Sequence, residues 1–362
     1  MVVRTGIVGA GTISETHLEG TKQNPRAELV GICDVDRSAA ERMATEYGIP
    51  WFTSVDALIE EGIDCLHICT PVQTHHHIAE KAMKAGVAVV IEKPVAMAVG
   101  EVEDLIEISE QYDVLATAVH SHLSRFLSRQ ITGMIDNGVL GDIQGVDIIH
   151  SGDTSPNEVK RGSWVFDLPG GEFEEGLPHP IYKGIGFAGY PRSVDDINAQ
   201  TVLNGTYERD FSYDDVQVQF VSESSTLCSI KILSNNQKQR LTIIHGTEKS
   251  VLVDSVTKSV QILEESYAGS PVFRAKKSID TIKVQLDALA GGAKQLVKSR
   301  MQSEWESQVE LTPHYAIFDE FAKAIESGGE PPHPLEQAKW TIQVLETIHR
   351  DAEGKEQSTI PT

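Results

Sequence analysis

The sequence predicts an α/β chain: a doubly wound parallel sheet first, then an α+β domain with a large, mainly antiparallel open sheet. Three observations predict it. Over the first 120 residues, short and almost continuously apolar runs alternate with amphipathic, helix-period runs. Strands of that kind are buried on both faces, as in a parallel sheet covered by right-handed crossover helices. After about residue 122 strand-like runs follow one another across short turns, which pairs them antiparallel. A length of 362 residues leaves room for about two domains, and the boundary is placed between 1–122 and 123–362.

The elements follow in order. Residues 2–8 are an apolar strand ending in glycines, and 12–23 a helix. ELVGICD (28–34) is a buried strand, and RSAAERMATEYG (37–48) a helix stopped by Gly48. DCLHICT (64–70) is a third strand. HHHIAEKAMKAG (75–86) is a helix closed by Gly86, and VAVVIEKP (87–94) is a fourth strand. A helix over 101–112 and a strand over 114–120 complete the first domain. In the second, a helix is expected over 129–141 and strands over 142–151, 215–222, 226–234, 240–248 and 250–255. Helices are expected over 277–301, 313–328 and 335–351. The stretch 265–312 is long and partly helical, suited to covering a pocket or to assembly.

Composition narrows the function. Thirty-one Lys+Arg stand against 53 Asp+Glu, a net charge of -22. So acidic a surface repels phosphate backbones and anionic lipid, which disfavours nucleic-acid binding and membrane docking. The excess is spread along the chain, as in adaptation to a salt-rich cytosol or in an ordinary acidic protein. Four cysteines make no disulfide framework. Cys65 and Cys69 lie about 13 Å apart along one strand, too far to bond. No signal-peptide pattern and no long apolar run is visible, so a cytoplasmic location is expected.

Three motifs carry chemistry. In Gly9-Ala10-Gly11-Thr12-Ile13-Ser14, Gly9 permits a tight turn out of the strand. Gly11 removes a side chain where backbone must approach a pyrophosphate, and the next helix offers unpaired N–H groups. Ser14 stands where a third glycine is usual. Asp34 ends the second strand, where a carboxylate binds the adenosine ribose hydroxyls and repels a 2′-phosphate. That favours NAD, while nearby Arg37 leaves NADP open. Glu92-Lys93-Pro94 ends the fourth strand, where open α/β sheets take their ligands. A lysine there can hydrogen-bond a substrate hydroxyl and stabilise its alkoxide character.

GIVGAGTIS, ICDVD, CTPVQTHHHIAEKAMKAG and EKP, in this order and spacing, resemble the Gfo/Idh/MocA family, the glucose–fructose oxidoreductase and inositol dehydrogenase group. The resemblance implies a Rossmann domain, a nicotinamide cofactor, and a second domain whose open sheet floors the active site. It also implies a homodimer or homotetramer built through that sheet. It carries over Thr70, Pro71 and His75 as lining the cofactor, and Lys93 as the family lysine, with a bond to Pro94 that is often cis. In Pro169-Gly170-Gly171-Glu172-Phe173-Glu174-Glu175-Gly176-Leu177-Pro178-His179-Pro180, His179 matches the family's catalytic histidine. Glu175 matches an acidic position that is more usually aspartate, and Tyr182 stands where the family has a further Asp.

The residues' own chemistry agrees. Taking a hydroxyl proton suits a histidine, which titrates nearest neutral pH. Pro180 suits the first position of a helix, which would make His179 its cap and keep the base neutral. Glu175 would orient the ring. His75, His76 and His77 diverge by about 100° each on a helix, so they cannot jointly hold one metal, and no metal is expected. His120 and His122 share a strand face and can line the pocket, or be hydrogen-bonded strand-end histidines. Trp164 and Tyr182 offer stacking surfaces for a sugar ring, or are core aromatics. The expected function is an NAD(P)-dependent dehydrogenase acting on a CH–OH of a sugar, polyol or sugar derivative. The alternatives are a redox-neutral NAD-dependent glycoside hydrolase or lyase of the same fold, and a non-catalytic nucleotide-sensing regulator.

Overall fold

The computed structural model describes residues 2–152, 154–160, 162–263 and 305–358, with the single positions Pro271, Ser278 and Lys283 between the last two stretches. The helix expected over 277–301 and most of the 265–312 stretch lie outside the described residues. The chain divides into two compact units, residues 1–126 with 302–342 and residues 127–301 with 343–362.

The first unit is built on a parallel sheet of six strands. These are β1 (Val3–Val8), β2 (Ala27–Cys33), β3 (Trp51–Phe52), β4 (Cys65–Ile68), β5 (Ala88–Ile91) and β6 (Ala116–Ala118). Their spatial order is β3-β2-β1-β4-β5-β6, and all five pairings are parallel. The order reverses between β1 and β4, so the ligand crevice belongs at the carboxyl ends of those strands. Every residue of β4, β5 and β6 is buried, as two covered faces require.

Helices α1 (Thr12–Gln23), α2 (Arg37–Tyr47), α3 (Val55–Glu60), α4 (His75–Lys84) and α5 (Val99–Tyr112) make the crossovers. Asp36 caps α2 by accepting from the Ser38 N–H at 2.8 Å, and Gly48 ends it at φ 70°. The alternation in sequence does not predict β3 and α3. Two strand residues carry no readable period, and tertiary packing places them. The Phe52 ring lies within 2.7 Å of where a Gly31 Cβ would stand.

Helices α9 (Trp305–Leu311) and α10 (Pro313–Ser327) belong to this unit too. Tyr315 and Phe318 of α10 lie against Gly20 of α1, 2.8 and 2.9 Å from where its Cβ would be. Ile317, Phe318 and Phe321 are buried in the same apolar cluster as Leu66, Val89 and Val90. The last helix, α11 (Leu335–Ser358), runs seven residues past the expected 351.

The second unit is built on seven strands. They are β7 (Ile143–Ser151), β8 (Asn198–Val202), β9 (Asp215–Val221), β10 (Leu227–Leu233), β11 (Gln239–Gly246), β12 (Ser250–Asp254) and β13 (Ser259–Leu263), in the order β13-β12-β11-β7-β10-β9-β8. All pairings are antiparallel except β7 with β10. β8, not predicted, is an edge strand with only Thr201 buried, so its apolar signal is weak. Helix α6 (Phe126–Asp136) starts and stops earlier than the expected 129–141, and Gly138 and Gly141 turn the chain after it at positive φ. Helices α7 (Gly171–Glu175) and α8 (Pro178–Ala188) follow β7 in sequence, and Gly184 lets α8 settle onto Ile230 and Cys228 of β10. Among the described residues no helix is long and apolar enough to cross a membrane.

Candidate active site

The turn from β1 to α1 is shaped for close approach. Gly9 sits at φ +100°, and a Cβ there would stand 2.7 Å from the Cys69 carbonyl, so only glycine fits. Gly11 is the N-cap of α1 and supplies no side-chain cap, and a Cβ on it would meet nothing within 4 Å. Open space thus faces first-turn N–H groups that no capping side chain covers, which fits a pyrophosphate. Thr12 is exposed beside it and Ile13 half-buried. Ser14, in place of a third glycine, is buried and donates its hydroxyl to the Gly9 carbonyl at 2.6 Å. The departure from the usual fingerprint therefore closes the turn internally.

Asp34 follows β2 directly. Its Oδ2 accepts the Ala10 N–H at 2.6 Å, and its Oδ1 accepts the Asp36 N–H at 2.8 Å. The carboxylate is thereby tied to the glycine turn, and each oxygen keeps a lone pair for a ribose hydroxyl. Arg37 is exposed, with its guanidinium 4.9 Å from the Trp51 ring centroid and 3.9 Å from Glu41.

Lys93 stands just past β5, half-buried, and its peptide bond to Pro94 is cis. Glu92 is buried, and its Oε2 accepts the Lys93 N–H at 3.1 Å. Burial pushes the Glu92 carboxyl up, and His314 and Lys93 draw it back down. His75 begins α4 and is buried. Its Nε2 lies 2.7 Å from the Thr70 carbonyl and its Nδ1 2.9 Å from the Pro94 carbonyl. Burial holds its pKa below the ordinary value against both carbonyls. The ring spans the Thr70-Pro71 loop and the loop carrying Lys93. Thr70 itself accepts the Thr74 hydroxyl at 2.8 Å. His76 turns to Asp104, and His77 is exposed. His120 is buried and its Nδ1 meets Gln337 Oε1 at 2.6 Å, while His122 is half-buried. Burial lowers His120 to about 4. No cluster of three or more His, Cys, Asp or Glu suited to a metal occurs among the described residues.

Sequence reasoning missed what lies beneath Lys93. His17 Nε2 is 3.0 Å from Glu92 Oε1, and His17 Nδ1 is 3.1 Å from His67 Nδ1. Phe318 packs on both rings. Burial lowers His17 to about 3 and His67 well below its ordinary value. The contact to Glu92 is therefore a hydrogen bond from a neutral ring, not an ion pair. The available signal was His67 inside an otherwise apolar strand; His17, in a mostly polar helix, gave none.

In the second unit, Gly170-Gly171 opens α7. The structure corrects the expected cap. Leu177 is the N-cap of α8 and Pro178 takes the first helical position, so His179 lies inside the first turn. The chain leaves α7 in helical conformation through Gly176 and Leu177, which moves the start back by two residues. His179 is half-buried, with its Nδ1 2.7 Å from the Tyr182 hydroxyl. The Tyr182 ring is fully buried, so its hydroxyl is the part turned to His179. Glu175 is half-buried at the end of α7, and Trp164 is 45% exposed on the turn Ser163–Asp167. Glu174, also missed, is buried and accepts from the Gly170 N–H, the Tyr213 hydroxyl and His349 Nε2, all within 2.8 Å. It fixes the Gly-Gly turn ahead of His179.

Comparison with known proteins agrees with this geometry. Residues 3–120 match the model of an oxidoreductase family, GFO_IDH_MocA, described as an NAD-binding Rossmann fold. The inositol 2-dehydrogenase of Rhizobium meliloti is 31% identical over 171 residues, 46% of this chain and 51% of the relative. The UDP-N-acetylglucosamine 3-dehydrogenase of Acidithiobacillus ferrooxidans is 35% identical over 118 residues, 33% of this chain and 37% of the relative. The matches thus span about half or less of these relatives' length. In fold, the WlbA dehydrogenase from Bordetella pertussis, solved with NADH and UDP-GlcNAcA, superposes at a TM-score of 0.71 and 18% identity, over 98% of this chain and 96% of that one. The glycine turn, Asp34, the Glu92-Lys93-Pro94 strand end and the family match lead to one assignment: residues 3–120 match the NAD-binding Rossmann domain of the Gfo/Idh/MocA oxidoreductases.

Proposed function

We propose that the protein is a dehydrogenase that moves a hydride between NAD and a hydroxyl-bearing carbon of a sugar, polyol or sugar derivative. The observation that carries this reading is Lys93. It follows β5, its backbone held by Glu92, in a unit whose glycine turn and Asp34 suit a dinucleotide. NAD, when bound, supplies the hydride acceptor. Gly9 and Gly11 admit its pyrophosphate, Thr12 and Ile13 flank it, and Asp34 holds the adenosine ribose, with Arg37 the group to take a 2′-phosphate if NADP binds. Thr70 and Pro71 border the nicotinamide, and His75 ties their loop to that of Lys93. Lys93 donates to the reacting oxygen and stabilises its alkoxide character. His179 accepts the hydroxyl proton, with Tyr182 and Glu175 setting its ring. His120, His122 and Trp164 are the remaining candidates for substrate contact. The relatives' printed names, inositol and UDP-N-acetylglucosamine dehydrogenases, support the substrate class.

Assembly as a homodimer or homotetramer through the second unit's sheet belongs to this reading, as does a cytoplasmic setting. Four free, buried cysteines suit a reducing compartment. The test is a screen of sugars, polyols, inositols and sugar acids with NAD+ and NADP+, following reduced nicotinamide at low and high salt. Turnover with one class, lost in Lys93→Met while NAD still binds, is expected. Full turnover in Lys93→Met would overturn the reading.

A further inference from the structure

Three polar groups in the core of the first unit converge on one small space. Thr21, Asn24 and His67 line a cavity of about 10 Å³ together with Thr5, Cys65, Phe318 and Phe321. That is the room one buried water needs. Thr21 Oγ1 and Asn24 Nδ2 are fully buried and meet no hydrogen-bond partner among the described residues. A buried amide N–H left so forfeits its hydration with nothing in return, so a partner is required.

The third group follows from proton bookkeeping. Glu92 accepts the Lys93 N–H on Oε2, with the Lys93 ammonium as its neighbouring positive charge and the His314 and His75 rings close by. As an anion it must receive a proton-bearing Nε2 from His17 on Oε1. A neutral His17 then has a bare Nδ1, which can only accept. His67 Nδ1, 3.1 Å away, must carry the proton of that bond. His67 Nε2 is left as an acceptor on a ring that lines the cavity. One water can accept from Asn24 Nδ2, share a bond with the Thr21 hydroxyl, and donate to His67.

We propose that the cavity holds a single ordered water, closing a one-way hydrogen-bond chain from water through His67 and His17 to Glu92. Through that chain His17 is a positioning residue for Lys93. The chain presents its last N–H to Glu92, and Glu92 fixes the Lys93 main chain. The water and the ring states stand independently of the enzymatic reading, while the effect on Lys93 rests on it.

Ring tautomers test the chain directly. In full-length protein carrying 15N-histidine, long-range proton–nitrogen correlation should find His17 protonated on Nε2 and His67 on Nδ1 at neutral pH. The reverse pattern, or an imidazolium at either position, would overturn the proposal. A high-resolution crystal structure should place one water within hydrogen-bond reach of Thr21 Oγ1, Asn24 Nδ2 and His67 Nε2, and an empty cavity overturns that half. The positioning role is read from two similar variants. His17→Gln keeps an amide donor near the Nε2 position, and His17→Asn places one near Nδ1 instead. With the substrate found by the screen, His17→Gln should keep kcat within about threefold. His17→Asn should lose about tenfold in kcat and shift the pH profile, with NAD affinity unchanged. Equal kcat and equal profiles in both variants sink the positioning role. Full activity in Lys93→Met would instead sink the enzymatic reading and leave the tautomers as they are.

Discussion

Glu92 Oε2 accepts the main-chain N–H of Lys93 at 3.1 Å, so the carboxylate preceding the lysine in sequence also pins its backbone. Its other oxygen lies 3.0 Å from His17 Nε2. One buried side chain therefore joins the strand end to the helix of the glycine turn. Glu92→Leu leaves both N–H groups without their acceptor. We expect it to lower the stability of the folded protein by about 2–4 kcal/mol, with Glu92→Gln milder. Urea midpoints for the two variants check this, and a neutral Glu92→Leu would contradict it.

Lys93→Met should retain NAD binding and lose turnover by about a hundredfold to ten-thousandfold, the range for removing one positioned polar catalyst. Fluorescence titration with NADH separates the binding from the chemistry.

Asp34 bonds the Ala10 N–H and has lone pairs to spare for a ribose. Asp34→Ser should weaken NAD by about ten- to a hundredfold, roughly 1.4–2.8 kcal/mol, and improve the relative affinity for NADP. Dissociation constants for both cofactors decide it, and an unchanged ratio would remove Asp34 from cofactor choice.

Tyr182→Phe deletes the hydroxyl 2.7 Å from His179 Nδ1 without opening a cavity. The expected result is a drop in kcat of about fivefold, from a bond worth about 1 kcal/mol, with little change in KM. Steady-state kinetics measures both. A changed KM at constant kcat would place the hydroxyl in substrate binding instead.

Stability should fall on acidification through the histidine range. Burial holds His17 and His333 near about 3 and His120 and His314 near about 4, against 6.5 for a free ring. Below 6.5 the unfolded chain binds protons that these rings refuse. Their contribution is thus complete above 6.5 and declines as pH falls toward 4 and 3, by about 1.4 kcal/mol per pH unit for each such ring. His349, raised by its bond to Glu174, acts in the opposite sense: its contribution is complete below 6.5 and lost as pH rises through its folded value. Denaturant midpoints at pH 7 and pH 5 should therefore differ, with pH 5 lower.

Most of the first unit's strands and crossovers were legible because the strands are largely apolar and glycines or caps mark several of the turns, such as Gly48 and Gly86. Gly9, Asp34 and Lys93 were legible by position, at strand ends where such sheets take ligands. What stayed hidden depends on contacts distant in sequence. β3 is placed by Phe52 filling the space beside Gly31, which no local period encodes. Glu174 looks like a surface charge until Tyr213 and His349 are seen to meet it, 39 and 175 residues away. The start of α8 was misread because two prolines compete for the first helical position, and the helical Leu177 decides for Pro178.

Helix α10 bears on how the polypeptide is made. Its Phe318 and Phe321 complete a core whose strands end at Ala118, so about two hundred more residues must leave the ribosome before that core can shut. At about 5–20 residues per second the delay is on the order of ten seconds or more. During that interval the side of β1 and β4 that α10 will cover stands open to water, and early release of the nascent N-terminal half would expose it.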